Sequence, residues 1–215
     1  MIAVIDANAT VSAQGPWTPL SPQEAAELLA GANFPWWIAG GFAIEWAVGE
    51  PYREHGDLDV LVLHRDQARV RRHFEGWDLF LADPPGAGRL RAWSTGEDLP
   101  SRVHDVWCRR SPDEPWSVQL MLDEADGEDW VSRRDSRVRR PLAQLGRVTC
   151  TGIPYLIPEV QLFYKAKNVR EKDQLDFDRV LPRLDAGQRA WLVGALELVL
   201  PGHAWLGRLK RQGRR

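Results

Sequence analysis

One run of six residues limits the folds open to this chain more than any other. Leu58 to Leu63 reads LDVLVL, an apolar run of Leu and Val of strand length in which Asp59 is the one polar residue. Such a run belongs in a sheet that is covered on both faces. We therefore expect a central strand with helices packed against the sheet.

The rest of the chain predicts an α/β (α+β) protein with a small mixed sheet and flanking helices. Between Trp77 and Leu122 the apolar residues recur with a period near two, which indicates an antiparallel extension of the sheet. From Pro158 onward the spacing is helical, whereas residues 124–140 resemble a charged loop. The expected organisation is a weakly ordered segment over residues 1–16, an α/β domain over 17–155 and a C-terminal helical domain over 156–215.

Composition excludes several classes of partner. The net charge is −2, which gives no electrostatic reason to bind nucleic acid or an anionic membrane surface. No apolar run approaches the roughly 20 residues of a membrane-spanning helix. Cys108 and Cys150 have no metal-type spacing and are too few for a disulfide framework. We expect a cytoplasmic protein without membrane association, whose oligomeric state the sequence does not determine.

Two carboxylates stand at the start of the LDVLVL strand. Asp57 and Asp59 are two residues apart, so both side chains point to the same face of the strand. Their repulsion needs compensation, and a carboxylate pair of this kind binds one or two Mg²⁺ ions that in turn bind nucleotide phosphates. The alternative is that Asp57 caps a turn and Asp59 pairs with an arginine.

A glycine pair precedes these carboxylates in the chain. Gly40 and Gly41 follow a short apolar strand and open a helical pattern. Such a turn lets backbone approach a ligand closely, and the N–H groups of the helix attract an anion such as phosphate. The alternative is a turn that only requires a positive φ angle.

Together these features resemble a known superfamily. Gly40-Gly41, the intervening helix and Asp57-Leu58-Asp59 resemble the DNA polymerase β-type nucleotidyltransferases. The stretch WIAGGFAIEWAVGEPYREHGDLDV is more narrowly similar to the aminoglycoside nucleotidyltransferase branch and its uncharacterised relatives. The resemblance implies a nucleotidyltransferase core with a helical C-terminal domain. It also implies Mg²⁺-dependent transfer of a nucleoside monophosphate from a nucleoside triphosphate, with ATP as the first expectation, to an acceptor hydroxyl.

This chain departs from the superfamily pattern at one phosphate-binding position. Many members have a serine after the glycines, and this chain has Phe42. Phosphate contact then rests on backbone N–H groups and on nearby cations, for which Arg53 and His55 are the candidates. Each of these two residues is also compatible with a solvated turn.

A second set of candidate nucleotide contacts lies in the helical half. The segment PEVQLFYKAKNVREKDQLDF is similar to a Lys- and Asp-bearing helical segment of related nucleotidyltransferases, including toxin-type members. The likeness favours Lys165 or Lys167 as a nucleotide contact, with Asp173 and Asp176 mainly structural. The alternative is a basic helix face that pairs with these two aspartates.

This chemistry usually needs a third acid on a neighbouring strand. The strand predicted from Trp116 to Asp123 has Gln119 at the expected position, and an amide cannot accept a proton. Asp123 lies on the same face four residues later and is the predicted third catalytic and metal-binding acid, with Glu124 in reserve. If Gln119 occupies the position instead, activity is reduced or lost.

The acceptor follows less directly from the sequence. An acidic loop from Asp123 to Asp129 suits a cationic small molecule such as an aminoglycoside, although such runs are usually solvated loops. A tRNA or protein acceptor, as in toxin-type members, is the second alternative.

The rival class is a non-catalytic nucleotide- or partner-binding module of the same fold, which Gln119 favours. Trp130, with Trp107 or Trp116, is a candidate to stack on a sugar or base, or else packs in the core.

Overall fold

The computed structural model describes residues 10–12 and 15–212 of the chain. The prediction of a weakly ordered N-terminal segment therefore falls mostly outside the described residues. The helices are α1 (Pro22–Leu28), α2 (Gly40–Val48), α3 (Gln67–His73), α4 (Pro158–Lys165), α5 (Glu171–Val180), α6 (Ala186–Val199) and α7 (Leu206–Gln212). The strands are β1 (Thr10–Ser12), β2 (Trp36–Ile38), β3 (Asp59–Leu63), β4 (Asp78–Ala82), β5 (Arg89–Ala92), β6 (Asp105–Arg109), β7 (Val118–Asp126), β8 (Asp129–Val131), β9 (Arg139–Pro141), β10 (Gly146–Val148) and β11 (Pro154–Leu156). The expected α+β class with a mixed sheet is confirmed.

The chain folds into two compact units. The first comprises Met1–Trp37 and His55–Ala125, and the second comprises Ile38–Glu54 and Asp126–Arg215. This division differs from the single boundary near residue 155 that the sequence predicts. The reason is that α2 packs with α4 and α5, so a segment early in the chain belongs to the unit that holds the C-terminal helices.

The first unit is built on a mixed sheet with the strand order β1-β5-β4-β6-β7-β3. The β3–β7 pair is parallel, and the other neighbouring pairs are antiparallel, as the period-two pattern predicts. Leu58 and the residues of β3 from Val60 to Leu63 are fully buried, so this strand is covered on both faces. The LDVLVL run therefore forms the strand expected from its composition.

Helix termini in both units follow local sequence signals. Ser21 caps α1 and forms a capping box with Glu24, in which each side chain accepts from the backbone N–H of the other residue. In the second unit, α2 ends at Gly49, whose φ angle of 95° is accessible mainly to glycine. Both helix boundaries are therefore set by local sequence.

The second unit contains α2, the C-terminal helices α4 to α7 and several short strands. β8 pairs with β9, and β10 pairs with β11, both antiparallel. The loop expected over residues 124–140 is wrong in part, because β7 continues to Asp126 and the β8–β9 hairpin follows. Trp130 of β8 is fully buried, and this burial accounts for a strand within a charged stretch. No helix among the described residues is long and apolar enough to cross a membrane.

Candidate active site

Asp57 and Asp59 lie at the start of β3 in the first unit. Asp59 is the first residue of the strand, and Asp57 precedes it by two positions. Both are half-buried, whereas the alternating residues Leu58 and Val60 are fully buried. The alternation places the two carboxylates on one partly open face of the strand, as the sequence predicts.

Strand register places two further polar side chains on that face. Asp59 of β3 is level with Gln119 of β7, and Gln119 is level with Trp107 of β6. Asp105, two residues before Trp107, is opposite Met121 and therefore shares the face of Gln119. The side chains confirm this, because Gln119 Nε2 donates a hydrogen bond of 3.0 Å to Asp105 Oδ1. The face thus holds three carboxylates, with an amide between the second and the third.

Asp123, the predicted third acid, lies at the other end of the same strands. It is level with Leu63 and fully buried, and Leu61 and Met121 between the two ends are buried as well. Four residues of strand separate it from Gln119, about 13 Å. The register does not bring Asp123 to the carboxylate pair, so its role as third acid stays a prediction. The reserve residue Glu124 points to the opposite face by its position in the strand.

Asp105 is not among the residues that the sequence motifs single out. Its signal is local, because Asp105 opens the period-two run DVWCR just as Asp59 opens DVLVL. A polar residue at the first position of a strand is also typical of an ordinary strand end. In addition, the third catalytic acid was expected on the strand predicted from Trp116 to Asp123. Only the register of β6 against β7 distinguishes the two interpretations.

The glycine turn belongs to the second unit. Gly40 is the first residue of α2 and has a φ angle of 66°, which requires glycine at this position. Its N–H donates a hydrogen bond of 2.8 Å to Oε1 of the buried Gln161. This amide is used within the protein, so the predicted phosphate contact depends on Gly41 and not on Gly40.

A buried ionic network holds Arg53 and Lys165 within the second unit. Asp176 accepts hydrogen bonds from Arg53 at 2.8 and 3.0 Å and from the Tyr52 hydroxyl at 2.7 Å. Lys165 Nζ lies 2.8 Å from Asp176 Oδ2 and 3.1 Å from Asp173 Oδ1. The pairing of Lys165 with both aspartates, the alternative interpretation of this segment, is therefore present. The nucleotide contacts predicted for Arg53 and Lys165 stay predictions.

The two other candidate cations are placed differently. His55 is half-buried in the first unit, two residues before Asp57. Lys167 is exposed just beyond α4 and lines a cleft of about 340 Å³ in the second unit, together with Lys165, Arg134 and other residues. Basic side chains dominate this cleft, and the nucleotide contact of Lys167 stays a prediction.

Comparison with known proteins identifies the family. The profile of the aminoglycoside-2''-adenylyltransferases matches residues 23–180 of the chain. The chain belongs to this family. The membership confirms the resemblance on which the functional predictions rest, and the family's description denotes adenylyl transfer to an antibiotic.

Solved structures of antibiotic-modifying enzymes share the fold. The lincosamide antibiotic adenylyltransferase LnuA in its lincomycin-bound form superposes with a TM-score of 0.53 at 14% identity, covering 78% of this chain and all of LnuA. ANT(2")-Ia in complex with adenylyl-2"-tobramycin gives 0.51 at 13% identity, covering 82% of this chain and 97% of the enzyme. A solution structure of ANT(2'')-Ia gives 0.51 at 17% identity, covering 89% and 97%. A comparison with proteins of curated function gives no match.

Asp57 and Asp59 have the donor chemistry of one kind of magnesium site. Among residues 10–12 and 15–212, no group of three or more Asp, Glu, His or Cys side chains is placed so that it could hold a metal ion. Mg²⁺ is commonly bound through only one or two carboxylates, with substrate phosphates and water as the remaining ligands. Asp57 and Asp59 supply two carboxylates on one half-open face, which is the donor set for that kind of site.

Burial and ion pairing shift the pKa values of the network in the second unit. Burial raises the pKa of Asp173, but the hydrogen bonds from Arg170 and the charge of Lys165 outweigh it and lower the pKa to about 2. Burial likewise opposes ionisation of Asp176, whose pKa is nevertheless lowered by Arg53 and Lys165. Burial and the hydrogen bond to Asp176 raise the pKa of Tyr52 well above its usual range. Both aspartates are therefore ionised at neutral pH, and Tyr52 is protonated.

The lowered pKa of Asp173 predicts an acid-dependent loss of stability. The folded pKa of about 2 lies below the ordinary value of 3.8, so the stabilisation is complete above pH 4 and disappears as the pH falls through 2. We expect Asp173 to contribute about 2 kcal/mol across this window. Urea unfolding of wild type and Asp173→Asn at several pH values should show their difference in unfolding free energy shrinking by that amount. A difference that stays constant from pH 6 to pH 2 would contradict the prediction.

Proposed function

We propose that this family member is a Mg²⁺-dependent nucleotidyltransferase. It transfers a nucleoside monophosphate from a nucleoside triphosphate, with ATP as the first choice, to a hydroxyl group of a small-molecule acceptor. The observation that carries the proposal is the half-open face with Asp57, Asp59 and Asp105, where Gln119 orients the third carboxylate. Family membership supports the reaction class. We also propose a cytoplasmic location, where nucleoside triphosphates are available.

The three carboxylates have distinct roles in the proposed reaction. Asp57 and Asp59 would hold the metal, which when bound neutralises phosphate charge and polarises the phosphoryl group under attack. Asp105 would accept the proton of the acceptor hydroxyl as that oxygen attacks the α-phosphate and pyrophosphate leaves. Gln119 donates to Oδ1 of Asp105, so it would keep the carboxylate oriented while the other oxygen takes the proton.

This arrangement changes the interpretation of Gln119. An amide at the position of the third acid favours a non-catalytic binding module if no carboxylate lies beside it. In the structure Gln119 donates to Asp105, and an acid is therefore present one strand further along the face. The contact favours the enzyme over the binding module.

A small antibiotic-like acceptor is the first choice. The family's description specifies adenylyl transfer to an aminoglycoside, and the solved neighbours include a lincomycin-bound and an adenylyl-tobramycin-bound enzyme. A net charge of −2 is compatible with a cationic small molecule and gives no general attraction for tRNA. No described feature favours a protein acceptor.

The proposed activity is tested by pyrophosphate release. Purified protein is incubated with Mg²⁺, each of the four common nucleoside triphosphates, and a panel containing aminoglycosides, lincosamides and tRNA. We expect acceptor-dependent pyrophosphate release with ATP and a small molecule, and an acceptor whose mass increases by one AMP. ATP binding by calorimetry without any turnover across the panel would instead support the non-catalytic module.

The identity of the third acid is tested by a pair of substitutions. We expect Asp105→Asn to lower kcat by about 10²-fold, because the general base is lost while the side-chain shape is kept. Asp123→Asn should leave kcat within a fewfold of wild type, provided that thermal unfolding shows a folded protein. The reverse ranking would restore Asp123 as the third acid and leave Asp105 as a strand-end residue.

A further inference from the structure

Trp107 is a large apolar side chain that is only partly buried on the face of the carboxylates. Of the three tryptophans that the sequence offers as stacking residues, Trp116 and Trp130 are buried, with exposures of 2% and 0%. Core packing therefore explains the presence of these two tryptophans without a ligand. Trp107 packs against the same small cluster as Trp116, but part of its surface remains accessible.

The strand register places Trp107 beside the proposed catalytic acids. It is level with Gln119 on one side and with Phe80 on the other, so the row across the sheet is Asp59, Gln119, Trp107 and Phe80. Two strand spacings, about 10 Å, separate the backbones of Asp59 and Trp107. Asp105 precedes Trp107 by two residues on the same face, about 7 Å along the strand. Trp107 thus stands on the Asp105 side of the face, away from the Asp57–Asp59 pair.

Neighbouring aromatic rings hold Trp107 in place. The ring of Trp17 contacts it edge-to-face at a centroid distance of 4.9 Å, and Trp116 does so at 5.7 Å. Trp116 in turn packs on Phe80 at 5.5 Å and under the guanidinium of Arg109 at 4.6 Å. A ring supported in this way loses little conformational entropy when a ligand binds to it.

We propose that Trp107 is the surface on which the sugar ring of the acceptor stacks. The face of an indole ring is electron-rich, and it attracts both the C–H groups of a sugar ring and a nearby ammonium group. A sugar on Trp107 presents a hydroxyl towards Asp105, the proposed base. The nucleotide phosphates belong beside Asp57 and Asp59, at the other end of the row, which favours the acceptor over the nucleotide base as the stacked group. This inference rests on the proposed function for the position of the attacking hydroxyl.

Acceptor binding is measured by calorimetry with tobramycin as the amino-sugar probe, without nucleotide, so that no turnover occurs. We expect Trp107→Ala to raise the Kd about tenfold or more. Trp107→Phe should keep the Kd within about threefold of wild type, because an aromatic face remains. Trp77→Ala is the matched control, since Trp77 is another half-buried tryptophan of the first unit, packed on Phe74. In transfer assays, Trp107→Ala should raise the acceptor KM and leave the ATP KM unchanged.

The outcomes separate this inference from the proposed function. Tobramycin binding that depends on Trp107, without pyrophosphate release, overturns the function and supports the stacking site. Turnover with an unchanged Kd in Trp107→Ala overturns the stacking site alone. A wild-type protein that does not bind tobramycin, or an equal loss of binding in Trp77→Ala, overturns the stacking proposal as well. Thermal unfolding of each variant checks that the loss is not caused by unfolding.

Discussion

Replacing Asp59 by asparagine should lower nucleotidyl transfer by about 10³-fold while the protein remains folded. Asp59 starts β3 on the half-open face and would be a direct metal ligand, and a metal ion contributes several kcal/mol to a phosphoryl-transfer barrier. Asparagine is nearly the same size as aspartate but lacks the negative charge that would stabilise a bound Mg²⁺ ion. We expect the kcat to fall, together with a large increase in the Mg²⁺ concentration needed for half-maximal rate. Both are measured by pyrophosphate release at a series of magnesium concentrations.

A matched control is available in the same unit. Asp98 is an exposed aspartate in a loop of the first unit, so Asp98→Asn changes the net charge identically without touching the carboxylate face. Its rate and magnesium dependence should equal those of wild type. If Asp59→Asn also retains wild-type kcat and magnesium dependence, Asp59 is not a metal ligand and the proposed reaction fails with it.

The sequence predicts one half of this site well because its signals are local. A run of buried Leu and Val residues defines β3, and the two-residue spacing places Asp57 and Asp59 on one face without any knowledge of the neighbouring strands. The third acid depends on how three strands align. Gln119 lies opposite Asp59 as expected, but Asp105 reaches the site from β6 through an antiparallel register that periodicity alone does not determine.

The division into units could not be predicted for a similar reason. Helical spacing correctly indicates the helices after Pro158. Nothing local shows that Tyr52 and Arg53 bind Asp176, more than 120 residues later in the chain. The expected loop over residues 124–140 is wrong in part for the same reason, because the burial of Trp130 outweighs the charge of its neighbours.

The buried ionic network around Lys165 leads to the largest expected effect on stability. Replacing Lys165 by methionine should lower the free energy of unfolding by about 3 kcal/mol. Lys165 is buried and contacts Asp173 and Asp176, whose side chains are 1% and 0% exposed. Removing the ammonium leaves two neighbouring carboxylates in a buried site, where Arg170 and Arg53 compensate only part of the charge. The change is measured by urea unfolding at pH 7, followed by far-UV circular dichroism.

Lys210→Met is the control variant for this measurement. Lys210 also pairs with a carboxylate, Glu197, at 2.6 Å, but both side chains are about half exposed. An exposed pair contributes about 0–1 kcal/mol because water and salt screen it, so this variant should unfold almost like wild type. Equal effects of the two substitutions would mean that burial does not strengthen the Lys165 pairing. A stable Lys165→Met protein with a raised ATP KM would instead favour the predicted nucleotide contact, since a lysine that the fold does not need is available to bind phosphate.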